Sequence, residues 1–425
     1  MAVFWPKIVT SAHWSGSLNG VRYAIAVVGL SLAAARAHAE PLSLAAALRE
    51  ALASHPLLEV ARSRIEVAEG QVRQSAVRPN PLFVYQSENL RAWGSPAYRY
   101  WQDSDHFYYL QQTFETASKR AKRQDVSRLQ KERVELEREM TAWQIAARVR
   151  TAYWDAAATA RVRLLYTQVT ENYRETVIYH ETRFREGAIA ESDLIRVQLE
   201  ASRLSLGANA ATLDADQAVI RLQREMGRRE FGPVEFTDVL EGGEMGAVEA
   251  RTAFEQRPEM KLARKIGEVA GLQTRLQEAL AKPNVDGLFG YKRASGQDTV
   301  VVGVQVPLPV FNRNVGNIES SVAEQRAAAG AVRSTEALIA AEYEAVRREL
   351  ALRENQLLQS AQPLRERARE NARVAEAAYR LGGTDILRLL DAQRQQLDAE
   401  RLFLDAWAGL RQARARLDSV LGVMP

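Results

Sequence analysis

The chain of 425 residues has no cysteine, which excludes a disulfide scaffold, a thiolate metal site, a cysteine nucleophile and attachment through a lipidated cysteine. Histidine is scarce: beyond residue 39 there are only His55, His106 and His180, and no H-x-x-x-H or H-E-x-x-H spacing occurs. No G-x-S-x-G elbow or comparable arrangement positions a serine nucleophile, so the sequence predicts no enzyme and no cofactor. An excess of one charge is also missing. Lys+Arg number 57 against 53 Asp+Glu, and removing residues 1–39, which carry Lys7, Arg22 and Arg36 and no acid, leaves 54 against 53. A net charge of +1 gives no electrostatic reason to bind nucleic acid. Beyond residue 39 no run of 18 apolar residues occurs, so a membrane-embedded form of this chain would have to be a β-barrel.

Residues 1–39 read as an export signal. Arg22 is followed by YAIAVVGLSLAAA and then Ala37-His38-Ala39, an A-x-A cleavage pattern that makes Glu40 the expected first mature residue.

The remainder falls into two similar halves, expected at 40–246 and 247–425. Residues 41–77 have apolar positions recurring at three and four, with Ser43 as N-cap and a break at Pro56. Residues 247–281 repeat the plan, with Arg257-Pro258 in the place of His55-Pro56. Both stretches end in similar punctuation, Arg78-Pro79-Asn80-Pro81 and Lys282-Pro283-Asn284, and two extended segments come after each: 82–90 with 106–114, and 285–293 with 299–306. Val300, Val302, Val304 and Val306 share one strand parity, as a wall with lipid on one side requires.

Long helices are expected from about 116 and about 317. The first runs to about 184, on the order of 100 Å at 1.5 Å per residue, too long for a compact core. Its stripe is Met140, Trp143, Ala147, Trp154, Ala158, Val162, Leu165 and Val169, and the second helix has Val346, Leu350, Leu357 and Leu364, with a slight bend expected at Pro363. Phe184-Arg-Glu-Gly187 and Tyr379-Arg-Leu-Gly382 end the two long stretches. Their glycines are 195 residues apart, and the same offset aligns Val197-Gln198 with Ala392-Gln393. The Gly-rich stretch 228–248 reads as the link between halves.

These turns, together with Arg78-Pro79-Asn80-Pro81 and the run from Val306-Pro307-Leu308-Pro309 through Phe311-Asn312-Arg313-Asn314 to Ile318, resemble the TolC-like outer-membrane efflux factors. Within them, the run is most similar to the branch serving heavy-metal cation exporters of the CzcC and CusC kind. The resemblance spans about 41–421. It implies a mainly α fold with a transmembrane β-barrel: a homotrimer in which each chain gives four strands to one 12-stranded barrel in outer-membrane lipid and its helices to a long periplasmic α-helical tunnel. It further implies a periplasmic adaptor protein and an inner-membrane, proton-driven pump of the RND type as partners.

On this resemblance the tip lies near 185–193 and 380–391, with Gly187 and Gly382 in adaptor-docking turns. Candidate gate residues are Asp193, Tyr379, Arg380, Asp385, Arg388 and Asp391. Asp391 matches an acidic tip position of the family, whereas Arg388 stands where some members have a second acid, which weakens the case for a double aspartate gate. Arg388 and Asp391 also fit a solvated i,i+3 pair. Asp103-Ser104-Asp105-His106 reads as a polar external loop rather than a cation site. Glu88 and Asn89 before Trp93 could suggest a carbohydrate site, but a strand reaching an external loop explains them equally well. A channel for drugs or secreted polypeptides and a coiled-coil scaffold without a pore stay open.

Overall fold

A computed structural model describes residues 39–91, 98–242 and 253–422. The expected export signal, apart from Ala39, lies outside these residues, as do Trp93 and part of the expected link at 228–248.

The first described element is a strand, at the start of the stretch 41–77 where the sequence predicted helix. β1 (Glu40–Leu42) pairs in parallel with β4 (Val234–Phe236), Glu40 opposite Val234. Helix α1 (Leu44–Ser54) starts behind Ser43, whose hydroxyl accepts from the Ala46 N–H at 3.1 Å. Asp238 accepts from the Leu44 N–H at 2.6 Å, while Arg228 pairs with Glu40 at 2.8 Å and Glu50 at 2.6 Å. These contacts tie the described part of the middle segment to β1 and α1.

Pro56 opens α2 (Pro56–Ser75), and His55 caps it, its Nδ1 accepting from the Leu57 N–H at 3.1 Å. Burial, with the nearby Arg148 charge, lowers the pKa of His55 from its ordinary 6.5, against an opposing contribution from Glu225. As pH falls, the unfolded chain therefore takes up the proton first: the neutral cap contributes fully above 6.5, and its contribution is lost as pH falls through the lower folded value. Asparagine can cap without titrating. Thermal unfolding of His55→Asn at about pH 7.5 and about pH 5 should therefore show a smaller acid-induced fall in Tm than the parent chain, the cap itself being worth about 1 kcal/mol.

Four strands form one antiparallel sheet in the order β2 (Leu82–Glu88), β3 (Asp105–Phe114), β5 (Val285–Ala294), β6 (Gln297–Gln305). Directly opposed residues share a face. One row runs Phe83, Leu110, Phe289, Val302, and the next runs Tyr85, Tyr108, Tyr291, Val300. The opposite face carries Gln86, Phe107, Lys292 and Thr299 in one row, with Thr113 donating to Asp286 at 2.5 Å in another. The first face is thus mainly apolar, with the row Ser87, His106, Arg293 and Asp298 as a polar one among its apolar rows, and exposes Val300, Val302 and Val304, whereas the second mixes polar rows with the row Val84, Tyr109, Gly290 and Val301. Strands β2 and β6 are the two open edges.

The four-residue helix α3 (Tyr100–Asp103) precedes β3, and the cluster at 103–106 is not an open polar loop. His106 is buried under Tyr100 and Trp101, with Tyr85 Oη 3.0 Å from its Nδ1. Asp103 accepts from the Arg99 N–H at 2.7 Å, and Asp105 binds Asn89 at 2.6 Å and the Ser295 N–H at 2.9 Å. Their carboxylates are committed to separate partners, and among the described residues no group of His, Asp and Glu is placed to hold a metal ion.

Below the sheet, α4 (Lys119–Arg185) runs for 67 residues and turns into α5 (Glu191–Glu225). Short α6 (Ala253–Gln256) precedes α7 (Pro258–Leu280). Then α8 (Val315–Asn355), a π-helical segment (Gln356–Ala361) and α9 (Gln362–Arg380) form the second long rod, which returns as α10 (Ile386–Val420). Among the described residues no helix is long and apolar enough to cross a membrane.

Of the expected α4 stripe, Trp143, Trp154 and Ala158 are buried, whereas Met140, Ala147, Val162, Leu165 and Val169 are half-buried. The deepest positions are Ile145, Ala146, Val149, Tyr153 and Ala156, because α4 packs against α1, α2, α5, α7 and α10 and so buries more than one stripe. Just before Pro363, where a slight bend was expected, the helix widens into the π segment. Proline offers no N–H to the carbonyl four residues back and crowds it, and a wider turn relieves both. The extra residue of a π turn also rotates the downstream helix about its axis, which explains why Val346 and Leu357 are buried but Leu364 is 46 % exposed.

Candidate functional site

Both rods end in the same backbone device. At the end of α4 the Gly187 N–H donates to Phe184 O at 2.9 Å and the Ala188 N–H to Arg183 O at 2.8 Å. At the end of α9 the Gly382 N–H donates to Tyr379 O at 3.1 Å and the Gly383 N–H to Ala378 O at 2.8 Å. These are Schellman closures, and the left-handed residue each needs is supplied by Gly187 (φ 71°) and Gly382 (φ 74°).

Local contacts separate the six candidate gate residues. Asp385 is the N-cap of α10, its Oδ1 accepting from the Arg388 N–H at 3.0 Å. Asp193 pairs with Arg196 at 3.4 Å, and Arg380 pairs with Glu376 at 2.5 Å, each within its own helix. Asp391 accepts from Gln395 at 2.8 Å, and no ion pair joins it to Arg388, so the solvated pair allowed by their spacing does not form.

Tyr379 is the candidate with a hydrogen bond across to the other hairpin. His180 on α4 is buried, and its Nδ1 lies 2.7 Å from Thr176 O. A carbonyl can only accept, so Nδ1 carries a proton, and in the neutral ring Nε2 accepts from the Tyr379 hydroxyl at 2.9 Å. The two rings stack with centroids 5.8 Å apart. Burial, the largest influence, raises the pKa of Tyr379, and the hydroxyl stays a donor.

Behind this contact Val197 and Leu204 from α5 meet Ile386, Leu389, Leu390 and Leu397 from α10, with Tyr173 of α4 beside them. An ionic layer lies beyond them. Glu200 pairs with Arg394 at 2.7 Å and Arg203 at 3.5 Å; Glu400 pairs with Arg365 at 3.0 Å and with Arg369; Glu241 lies 3.7 Å from both Arg161 and Arg365. The hydrogen bond to Glu200 raises the pKa of Arg394. A cavity of about 640 Å³ sits among these groups, and the buried Tyr173 hydroxyl beside it has no hydrogen-bond partner. Burial also pushes the Tyr173 pKa up.

His180, Tyr173, Glu200 and Arg394 are absent from the sequence-derived site. One signal in the sequence points to such pairs. Glu200 and Arg394 are 194 residues apart and His180 and Tyr379 are 199, close to the 195-residue offset of the two turns. Equivalent stretches of two similar hairpins meet each other here.

The architecture is a four-stranded antiparallel sheet carried on long helical hairpins. The family model for outer membrane efflux proteins matches residues 47–228 and 250–423, and the chain belongs to that family. It is thus an outer-membrane channel of the efflux type with a periplasmic extension, and not an enzyme. It is 24 % identical over 408 residues to the cobalt-zinc-cadmium resistance protein CzcC of Cupriavidus metallidurans, covering 91 % of each chain. It is 25 % identical over 299 residues to the nickel-cobalt-cadmium resistance protein NccC of Alcaligenes xylosoxydans xylosoxydans, covering 70 % of this chain and 67 % of that one. Among solved structures, CusC superposes with a TM-score of 0.74 at 15 % identity, covering 89 % of this chain and 91 % of CusC. The open state of the MtrE channel of Neisseria gonorrhoeae gives 0.73 at 17 % identity, covering 89 % and 88 %.

Proposed function

We propose that three copies of this chain close a 12-stranded barrel and form the outer-membrane exit of a tripartite, proton-driven efflux system. Residues 40–246 and 247–425 act as the two repeats of each copy. The sheet with two open edges carries this reading. A lipid-embedded sheet cannot leave β2 and β6 unpaired, and four strands are too few to close a pore alone. The apolar face with Val300, Val302 and Val304 then meets lipid and the polar face lines the lumen. A periplasmic adaptor docks at the Gly187 and Gly382 turns and links the channel to an inner-membrane pump of the RND type. Native mass spectrometry of protein extracted from the outer membrane should give a trimer, and a stable monomer would reject the barrel.

The cargo we propose is heavy-metal divalent cations, a reading that rests on the resistance named for CzcC and NccC. A conduit needs no tight ligands, since strong binding slows release, and charged rings lining the passage suffice to influence which ions pass. Deleting the chain from its host should lower the tolerated concentration of cobalt, zinc or cadmium salts. Unchanged tolerance of all three, with raised sensitivity to organic drugs, would transfer the cargo to that class.

A further inference from the structure

Loop 306–314 presents apolar side chains to solvent while being held firmly at its end. Phe311 is 100 % exposed and Leu308 79 %. Yet Asn314 Nδ2 donates to Gln277 O at 2.8 Å and to Gln277 Oε1 at 3.0 Å, Asn312 accepts from the Asn314 N–H at 3.0 Å, and the Val310 N–H donates to Leu308 O at 2.8 Å. An ordered loop carrying an uncovered phenylalanine marks an interaction surface.

Strand directions say what reaches it. β2, β3, β5 and β6 alternate, so the end of β6 and the beginning of β2 lie at the same rim of the sheet, on its two open edges. When β6 of one copy pairs antiparallel with β2 of the next, loop 306–314 arrives beside residues 76–82 of that neighbour. A groove of about 600 Å³ lies there, mostly polar in its lining, with Val77 and Pro79 as its apolar part and Glu115 and Arg123 among the charged groups around them. The chain contains an internal precedent. The junction after β3, residues 115–118, lies on the segment before β5: Thr116 donates to Pro283 O, and Lys119 donates to Lys282 O at 2.5 Å and to Asn284. Lys282-Pro283-Asn284 matches Arg78-Pro79-Asn80. The junction after β6 spans 306–314, nine residues against the four of 115–118, and the longer one stands at the open edge.

We propose that loop 306–314 is an intersubunit clasp whose Leu308, Val310 and Phe311 seat in the groove at 71–79 of the next copy. The clasp rests on the trimer reading and names its contact. The chain has no cysteine, so introduced pairs report without background. Within one copy β2 and β6 are three strand spacings apart, about 14 Å, beyond the roughly 7 Å a disulfide spans between Cα atoms. Full-length chain carrying Val77→Cys and Phe311→Cys, oxidised with copper phenanthroline in isolated outer membranes, should convert most of its monomer band on non-reducing gels to covalent trimer. Two co-expressed chains, each with one of these substitutions, should give covalent dimers. Val77→Cys with Leu308→Cys tests the same contact while keeping Phe311. Trimers by native mass spectrometry that neither pair cross-links would overturn the clasp and leave the trimer standing. Labelling of Phe311→Cys in the assembled trimer by a lipid-soluble thiol reagent would overturn it by placing the loop in lipid. Monomers alone would overturn both readings.

Discussion

Gly290→Val is expected to abolish the assembled channel, lowering the trimer recovered from outer membranes more than about tenfold, which a shift of only about 1.4 kcal/mol already produces. Gly290 lies opposite Tyr109 on one side and Val301 on the other. A Cβ at this position would stand 2.3 Å from Tyr108 O, 2.4 Å from Tyr109 Cβ and 2.6 Å from Tyr109 Cα, so backbone has to move. The strand it would displace is critical, because pairing of β3 with β5 is the seam between the β2–β3 and β5–β6 hairpins. Overpacking alone costs about 1–3 kcal/mol. A parted seam adds more, because in hydrocarbon each freed N–H or C=O costs several kcal/mol with no water to replace its partner. Gly303→Ala is the control on a neighbouring strand. Its added methyl would meet Leu288 Cδ1 at 3.6 Å, an ordinary contact, and should leave recovery at the parent level. Equal trimer yields from Gly290→Val and Gly303→Ala would show that the seam tolerates a branched residue.

The contrast between these glycines was beyond the sequence. The shared parity of the valines at 300, 302, 304 and 306 announced β6, because a two-faced sheet imposes a period of two on its side chains. Nothing in a local pattern tells at which glycine an added Cβ would meet backbone at 2.3 Å, since that depends on register between distant strands. The turns were legible because a Schellman closure needs a left-handed residue, and Gly187 and Gly382 recur at a fixed offset. Strand β1 was hidden inside a helical pattern, as only its parallel partner β4, some 190 residues onward, makes it a strand. The deep positions of α4 were hidden for a related reason. A single stripe is what one neighbour demands, and α4 has five. At the tip the sequence supplied the charges but not their commitments: Asp385 serves its own helix as a cap, and His180 looked like an isolated histidine.

With the tip taken as the closed gate that the family resemblance implies, those commitments decide which substitution should open it. His180→Phe keeps an aromatic ring against Tyr379 but removes the acceptor, leaving the half-buried hydroxyl with Arg183 as its remaining side-chain partner and costing about 1 kcal/mol for the lost bond. Tyr379→Phe leaves the buried Nε2 without its donor at a similar cost. Each change weakens the cross-hairpin bond between α4 and α9, and about 1.4 kcal/mol corresponds to a factor of ten in an equilibrium. In a trimer the bond is present three times. Single-channel recordings should therefore show a resting conductance at least several-fold above the parent for either variant. The double variant places two apolar rings face to face with no polar group stranded, so its conductance should fall below that of either single variant, a coupling that marks direct contact. Arg380→Ala serves as the comparison, since its partner Glu376 is on the same helix and the pair is exposed; conductance should stay at the parent value. If Arg380→Ala leaks as much as His180→Phe, the tip is held by its charges. If the double variant leaks as much as the two single effects combined, His180 and Tyr379 act on it independently, and the bond between them does not set the resting state.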